Sequence, residues 1–146
     1  MRVVVQRVAE ASVTIEGSLH AKIGQGYVLL VGLTAGDTLE NAKWIANKIA
    51  KLRVFPDENG KMNLSLSDVG GAVLSISQFT LYADVSDGNR PSFTKAMDPA
   101  AAESLYHAFN ASLGDASGAQ VRQGVFGAKM MVELANDGPV TIIIER

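Results

Sequence analysis

Residues 2–33 read RVVVQRVAEASVTIEGSLHAKIGQGYVLLVGL, four runs rich in Val, Ile and Leu that glycines help to separate. Val, Ile and Thr favour extended backbone, which makes each run a strand candidate. The predicted strands cover residues 2–8, 12–16, 19–23 and 27–33. Gly17-Ser18 and the segment 24–26 have the composition of turns. The first part of the chain is therefore predicted to be a β-meander.

Two helices are predicted further along the chain, each with recognisable end signals. Asp37 is a candidate N-cap for the first helix, with Glu40 three residues later as in a capping box. The apolar residues that recur there at helical spacing are Ala42, Ile45, Ala46, Ile49 and Leu52. Asp98 is predicted to cap the second helix, with Pro99 in its first turn and Gly114 at its end. The predicted buried face of this helix carries Leu105, Ala108, Phe109 and Leu113.

The remaining apolar runs are predicted to be strands that flank the helices. They cover residues 53–55, 72–83, 129–134 and 140–145. Strands outnumber helices, and the helices punctuate the strands rather than alternate with them, which predicts an α+β fold. We expect a largely antiparallel sheet or partial barrel with two main helices packed on it. The length favours a single domain over residues 1–146.

Composition narrows the functional classes. Hydrophobic residues make up 47% and charged residues 19% of the chain, which is typical of a globular protein. The chain has no cysteine, which excludes disulfides, thiolate zinc sites and a cysteine nucleophile. Its net charge of −2 argues against a broad nucleic-acid surface, since such surfaces are usually basic. A pocket that takes only the end of an RNA remains compatible with this charge.

The sequence contains no recognisable export or membrane segment. Residues 2–8 already have the pattern of a strand, and every apolar run is far shorter than a membrane span. We therefore expect a cytoplasmic protein that binds neither a membrane nor DNA.

No residue stands out as a general base. Nucleophilic catalysis by a hydroxyl needs a base within hydrogen-bond reach, and only two histidines are present. His20 lies in a predicted strand and His107 in the second helix, and surface positions suit both better than a catalytic role. Two histidines are also too few for a histidine metal site. Asp84 and Asp87 leave a carboxylate magnesium site open, although turn formation is their simpler role, and we expect neither metal nor cofactor.

Three lysines of the first helix have two interpretations. Lys43, Lys48 and Lys51 lie off its apolar stripe. A solvated face is the simpler interpretation, because lysine side chains are mostly exposed in folded proteins. Contact with phosphate groups is the alternative.

Two polar segments interrupt the later strands. The first is SQFT at Ser77–Thr80, inside the apolar run 72–83, and the second is NDGPVT at Asn136–Thr141, just before the last apolar run. Taken alone, the hydroxyls of the first segment have a simple role in satisfying polar groups at a strand end. Taken alone, Gly138-Pro139 would form a plain turn with a trans bond.

Both segments closely resemble the signature motifs of the D-aminoacyl-tRNA deacylase family, also known as D-tyrosyl-tRNA deacylases. The resemblance covers essentially the whole chain. Its further motifs are VQRV at residues 5–8, GKMNL at 60–64, RPSF at 90–93 and FGAKM at 126–130. A single four-residue motif would be weak support, whereas this many in the right order are strong support.

The resemblance implies an editing hydrolase that cleaves the ester between a D-amino acid and the 3′ end of tRNA. In the family the ribose 2′-hydroxyl of the terminal adenosine assists the attack of water, so the protein itself needs no base. Phe79 and Thr80 would supply main-chain N–H donors to the ester, and Ser77 and Gln78 would shape the pocket and contact the aminoacyl end.

The resemblance also implies how the substrate is selected. Family members are homodimers in which a cis Gly138-Pro139 element would enter the partner's pocket, held there by Arg7. The Cβ of an L-residue would clash with this element, whereas a D-residue would point away from it. Glycine has no Cβ, so glycyl-tRNA mischarged on tRNA-Ala would be hydrolysed as well. Phe126 and Met130 would pack against the terminal adenine.

Several alternatives remain open at this stage. In a regular strand Ser77 and Phe79 face one side and Gln78 and Thr80 the other, so all four serve one site only if the strand bends or some act through backbone. Thr80 as a direct nucleophile is the second mechanism. A non-catalytic module that binds the end of tRNA and a hydrolase of small free esters are the other functions.

Overall fold

The computed structural model describes all 146 residues, which form eight strands, two α-helices and one short 3₁₀ helix. The strands are β1 (Arg2–Ile15), β2 (Ser18–Ile23), β3 (Gly26–Gly32), β4 (Arg53–Pro56), β5 (Met62–Ser65), β6 (Ala72–Ser77), β7 (Val121–Gln123) and β8 (Met131–Glu145). The helices are α1 (Leu39–Ala50), the 3₁₀ helix (Phe79–Tyr82) and α2 (Pro99–Ser117).

β1 is the central strand of the main sheet. Along one edge, the first half of β1 pairs antiparallel with β3 and the second half pairs antiparallel with β2. Along the other edge, β1 pairs antiparallel with β8. Glu16 and Gly17 connect β1 to β2 with positive φ angles of 50° and 79°, the type of two-residue turn whose twist matches antiparallel strands. The separate strands predicted at 2–8 and 12–16 are therefore wrong. Continuous pairing merges them into β1, and the strands predicted at 129–134 and 140–145 likewise merge into β8.

The main sheet is mixed, which corrects the expectation of a largely antiparallel one. β3 pairs with β6 and β6 pairs with β7 in parallel, in the order β2-β1-β3-β6-β7. Parallel neighbours need a long crossover, which α1 and the β4–β5 hairpin supply for the first pair and α2 supplies for the second. β2 also approaches β6 and β7, so the sheet curls toward closure as a partial barrel.

The N-cap of α1 is Thr38 rather than the predicted Asp37. The Thr38 hydroxyl accepts from the Asn41 backbone N–H, and the Asn41 side chain accepts from the Thr38 N–H at 3.0 Å. This is a capping box in which Asn takes the place of the more usual Glu or Gln. Asp37 instead accepts from the amino group of Met1 and from the backbone N–H of Thr34.

α2 begins as predicted, with Asp98 as N-cap and Pro99 in the first turn. It continues beyond Gly114, the predicted end, to Gly118, whose φ of 65° is the left-handed conformation that favours glycine at a helix C-terminus. An interior glycine weakens a helix without ending it, so the prediction that the helix ends at Gly114 is wrong. Neither α1 nor α2 combines the length and the apolar character required to cross a bilayer.

Two hydrophobic clusters hold the fold together. The larger one lies between the helices and the sheet and includes Tyr27, Ile45, Phe55 and Phe109. The smaller one is built from strand residues, among them Val8, Val13, Val28, Leu74 and Ile76. At the carboxyl ends of β3 and β6, close to the start of α2, a cavity remains open.

Candidate active site

The cavity has a volume of about 710 Å³ and is mostly apolar. Its walls come from the ends of β3 and β6, the segment that leads into α2, and the segment between β7 and β8. The lining residues are Val31, Leu33, Ile76, Ser77, Gln78, Phe79, Phe93, Thr94, Ala96, Met97, Asp98, Pro99, Ala102, Phe126, Gly127, Ala128, Met130 and Val132. It therefore brings together three residues of the SQFT segment and both ends of the FGAKM segment.

The strand predicted at 72–83 ends at Ser77, and this break forms one wall of the cavity. Gln78 has φ −144° and ψ 79°, donates its N–H to the Val31 carbonyl at 2.8 Å, and leads into the 3₁₀ helix. Because the backbone leaves the extended conformation here, the alternation of a regular strand no longer separates Ser77 and Phe79 from Gln78. Thr80 lies one residue further on and is not part of the lining.

Two aromatic rings stand at the edge of the cavity. Phe79 is 57% exposed and packs edge-on against Phe93, with ring centroids 5.0 Å apart. Phe93 belongs to a loop that is tied to its own start, since Asp84 and Ser92 exchange backbone hydrogen bonds of 2.8 and 2.9 Å and Lys95 pairs with the Asp84 carboxylate at 2.8 Å. Lys95 and Ser86 hold the pKa of Asp84 well below its usual range. The loop thus fixes the second ring against the first.

The opposite wall is held from beneath by α2. The Phe126 ring packs on Tyr106, with centroids 6.0 Å apart, and the Tyr106 hydroxyl donates to the Ser75 carbonyl at 2.8 Å. Burial raises the pKa of Tyr106, so this hydroxyl stays protonated to a higher pH than that of an exposed tyrosine. The Met130 thioether packs so closely on Gly124 that a Cβ there would lie 2.5 Å from its sulfur. Phe126 and Met130 therefore present an aromatic face and a soft thioether to the cavity.

The cavity lining carries a single titratable side chain, Asp98, which is occupied as the N-cap of α2 by the N–H groups of Ala100 and Ala101. Neither histidine lines the cavity, and His107 contacts Gln123 at 3.1 Å instead. The Thr80 hydroxyl accepts from the Gln78 side chain. No grouping of three or more metal-ligating side chains of the His, Cys, Asp or Glu type is present.

Gly138-Pro139 lies outside this cavity within the single chain. Val8 of β1 pairs with Asn136 of β8, and Gln6 pairs with Thr141. Between these two pairs β8 has more residues than β1 and forms a bulge. The bulge contains Gly138-Pro139, which is exposed and joined by a cis peptide bond. A Cβ on Gly138 would lie 2.8 Å from Val140 Cγ2 and 3.1 Å from the Arg7 guanidinium.

Arg7 is buried beneath this bulge. Its Nε lies 3.2 Å from the Asp137 carbonyl and 3.1 Å from the Asp137 carboxylate, and its Nη1 donates to the Val54 carbonyl. These contacts tie the bulge of β8 to β1 and β4. Burial raises the pKa of the neighbouring Tyr27, and the Arg7 charge opposes that shift.

Sequence reasoning missed several wall residues of the cavity. Leu33 ends the strand predicted over 27–33, Met97 precedes the second predicted helix, and Ala102 lies in that helix but outside its predicted buried face. Their places in the cavity wall depend on the parallel pairing of β3 with β6, which no local sequence pattern predicts. Phe93 had a usable signal, because it closes the RPSF motif.

The comparison with known proteins identifies the family. The family model described as D-Tyr-tRNA(Tyr) deacylase matches residues 4–145. The chain belongs to the D-Tyr-tRNA(Tyr) deacylase family. Deacylases are hydrolases, so the cavity described above is the candidate active site of an enzyme.

Curated relatives of this family resemble the chain over its full length. A D-aminoacyl-tRNA deacylase of Exiguobacterium sibiricum is 59% identical and covers 100% of both chains. The protein of the same name from Chlorobaculum tepidum is 54% identical over 99% of this chain and 97% of its own. The protein from Lacticaseibacillus casei, again of that name, is 59% identical over the same shares.

Two solved structures share the fold of this deacylase family member. The structure titled c-Myc DNA Unwinding Element Binding Protein is 42% identical with a TM-score of 0.93, covering 100% of this chain and 99% of its own. A probable eukaryotic D-amino acid tRNA deacylase has a TM-score of 0.84 over 98% and 97% of the two chains. At 16% identity, the second likeness concerns the fold alone.

Proposed function

We propose that this protein is an editing hydrolase that cleaves the ester of D-aminoacyl-tRNA to free amino acid and tRNA. Family membership over residues 4–145, combined with the cavity that unites Ser77–Phe79 with Phe126–Met130, is the observation that carries the proposal. The substrate is the aminoacylated 3′ end of tRNA in the cytoplasm. A single domain of 146 residues would catalyse the reaction without a metal or a cofactor.

In the proposed mechanism the backbone of the SQFT segment stabilises the oxyanion. The N–H groups of Phe79 and Thr80 open the 3₁₀ helix and have no acceptor inside it, whereas those of Gln78 and Leu81 donate to carbonyls. Preorganised N–H donors of this kind lower the barrier for a developing oxyanion. Since the cavity offers no free base, the ribose 2′-hydroxyl of the substrate assists the attacking water. Ser77 and Gln78 shape the aminoacyl end of the cavity.

The terminal adenine is proposed to lie against Phe126 and Met130. Stacking on an aromatic face holds a base without regard to its sequence context, and a thioether adapts to an aromatic edge. The Tyr106–Ser75 hydrogen bond beneath Phe126 supports this platform. The position of the adenine would in turn fix the ester beside the Phe79 amide.

Selection against L-residues is proposed to come from Gly138-Pro139 of a partner subunit. The element is exposed and held by Arg7, yet it does not line the cavity of its own chain. The proposal therefore assigns this element to the cavity of a second copy of the chain. In such a homodimer the backbone of this element leaves no room for the Cβ of an L-residue, and glycine escapes rejection because it has none.

An outward apolar patch of the main sheet offers a surface for this homodimer. Val4 pairs with Leu30 on β3 and with Ile143 on β8, and Ile143 is 65% exposed. The three side chains form a row on the face opposite to that of the buried Val3 and Val5. Burial of such a row against its own copy follows the symmetry of most soluble dimers.

The test is the hydrolysis of D-tyrosyl-tRNA and L-tyrosyl-tRNA by the purified protein, with glycyl-tRNA-Ala as a third substrate. We expect release of D-tyrosine and glycine and no release of L-tyrosine. Equal hydrolysis of the D- and L-esters, or hydrolysis of neither, would reject the proposal. Binding without turnover would instead favour a tRNA-end binding module.

A further inference from the structure

A basic stripe runs along the outer face of α1 and was only partly visible in the sequence. We define the α1 stripe as Trp44, Lys48, Lys51, Arg53 and Arg146. The first three recur at intervals of four and three residues, which places them in line on one face of the helix. Together with Asn47 and Leu52, the helix residues and Arg53 line a shallow depression of about 500 Å³. Trp44 is 40% exposed, an unusual position for so large an aromatic ring.

The cations of the stripe are not neutralised by the protein. Ion pairs hold only four of the 13 Lys and Arg side chains, namely Arg2, Arg7, Lys22 and Lys95. Lys48, Lys51, Arg53 and Arg146 have no carboxylate within ion-pair distance, and Arg53 donates to the Asn63 carbonyl at 2.8 Å. Hydrogen bonds from Ser65 lower the pKa of Asp68, and the more distant Arg53 charge adds to this effect. Four of the nine Lys and Arg side chains without an ion pair thus lie in this one stripe. This concentration favours phosphate contact over the simpler solvated face.

A series of contacts connects the stripe to the 3₁₀ helix, whose first residue, Phe79, lines the candidate active site. The Arg146 guanidinium lies 4.8 Å above the Trp44 ring, and the Arg146 N–H donates to the Met1 carbonyl at 3.1 Å. The next residue, Arg2, donates at 2.7 Å to the carbonyl of Leu81 in the 3₁₀ helix. Lys51 lies about 10 Å from Trp44 along the helix axis, at a rise of 1.5 Å per residue.

We propose that the α1 stripe binds the sugar–phosphate backbone of the tRNA acceptor arm whose aminoacylated end occupies the cavity. The proposal rests on the proposed function, because that function places the end of a polyanion at the 3₁₀ helix to which these contacts lead. Cations without ion pairs contact backbone phosphates of a duplex, and the Trp44 ring positions one of them, Arg146, above its face. A local stripe of this kind reconciles an acidic protein with an RNA substrate, since only a few phosphates need to be contacted.

The test compares Lys48→Gln/Lys51→Gln with a matched control, Lys22→Gln/Arg122→Gln, which removes the same charge from β2 and β7. Each protein is assayed on D-tyrosyl-tRNA across a salt series and on 3′-D-tyrosyl-adenosine, which has the ester but no phosphate. For the stripe variant we expect KM on the tRNA to rise about tenfold at low salt, with a log–log salt slope smaller by about 1.4 to 1.8. Turnover of the adenosine ester stays at the wild-type value in both variants.

An unchanged KM and salt slope in the stripe variant, or an equal change in the control, would overturn the inference while leaving the hydrolase intact. Failure of the wild-type protein to cleave the adenosine ester and the charged tRNA would overturn the proposed function instead. In that case the binding of uncharged tRNA to the two variants still decides whether the stripe holds RNA. Weakened binding of duplex DNA with unweakened binding of tRNA would reject RNA as the partner.

Discussion

Thr80 is the residue on which the two candidate mechanisms disagree. As a nucleophile it would need a base, yet its hydroxyl accepts from Gln78 and no histidine lines the cavity. We predict that Thr80→Ala lowers single-turnover hydrolysis of D-tyrosyl-tRNA by less than about tenfold, since the backbone N–H remains. Replacing the terminal adenosine by its 2′-deoxy form abolishes most of the rate with either protein.

The opposite pattern would assign the chemistry to the side chain. Loss of a true nucleophile costs a factor of about 10⁴ or more, well beyond the loss of a supporting hydrogen bond. Thr80→Val is the matched control, because it keeps the branched shape and loses only the hydroxyl. If Thr80→Ala and Thr80→Val both lose that factor while the 2′-deoxy substrate is cleaved normally, the substrate-assisted mechanism is wrong.

Gly138 is a residue at which a single methyl group has a sharp predicted effect. Its φ of 124° disfavours any L side chain, and the added Cβ would meet Val140 at 2.8 Å and Arg7 at 3.1 Å. We predict that Gly138→Ala costs more than about 1 kcal/mol of unfolding free energy and also removes most of the turnover. Thermal unfolding and D-tyrosyl-tRNA hydrolysis measure the two effects.

Gly36→Ala separates backbone strain from damage to the site. Gly36 also has a positive φ, 92°, but nothing lies within 4 Å of its would-be Cβ. This control should lose stability and keep normal turnover. Normal turnover by Gly138→Ala as well would mean that the element does not border the substrate.

At the residue scale, five of the nine predicted site residues line the cavity, whereas Thr80, Arg7 and the Gly138-Pro139 element lie outside it. Ser77, Gln78, Phe79, Phe126 and Met130 all line it. Their types are those of a pocket rather than of a strand core, and their motifs resembled those of a known family. The roles assigned to them remain predictions, because identity and position do not by themselves establish chemistry.

At the element scale, the end of β6 at Ser77 lets three consecutive SQFT residues line the cavity. A continuous strand over 72–83 would have divided the SQFT side chains between two faces. The backbone instead turns into the 3₁₀ helix at Phe79–Tyr82, whose first residue lines the cavity. Sequence patterns do not locate such a break, because Phe, Thr, Leu and Tyr all have high propensity for strands or tolerate them.

The loop that carries Phe93 gives a pH-dependent prediction. Lys95 and Ser86 lower the pKa of Asp84 from its ordinary 3.8, so the charged carboxylate is favoured in the folded state. This contribution to stability is complete well above pH 3.8 and is lost as the pH falls through the lower folded value. We predict that Asp84→Asn lowers the Tm at neutral pH and that the difference from wild type shrinks below pH 3.8.

Asp87→Asn, in the same loop, is the matched control for this measurement. It removes the same charge without touching the pair between Asp84 and Lys95. Its Tm should follow that of the wild type at every pH. A Tm difference for Asp84→Asn that stays constant or grows in acid would show that the carboxylate contributes through something other than its charge.

At the scale of the whole molecule, the α+β class followed from the sequence, but the sheet order did not. Local patterns report which segments are extended, whereas strand pairing depends on how crossovers pack. The crossover through α1 and β4–β5 is long enough to let β6 lie parallel to β3. The same crossover brings Val31 next to Ser77, so the cavity is a consequence of topology as much as of its motifs.

The proposed homodimer makes each active site a product of two chains, which a mixing experiment tests directly. Phe79→Pro removes the backbone donor at the cavity, while Gly138→Ala damages the element that the partner would insert. Phe79→Ala, which loses the ring and keeps the N–H, shows how much of the first defect belongs to the donor. If Gly138-Pro139 acts across the interface, a dimer formed by either variant alone contains two defective sites.

A heterodimer of the two variants combines both defects in one site and leaves the other site intact. After unfolding and refolding of an equal mixture, we predict recovery of about a quarter of the wild-type rate, because half of the dimers are mixed and each has one good site. The mass in solution, measured by sedimentation, should be that of a dimer throughout. If Gly138-Pro139 serves only its own chain, no subunit arrangement yields an intact site, and the mixture stays as inactive as its components.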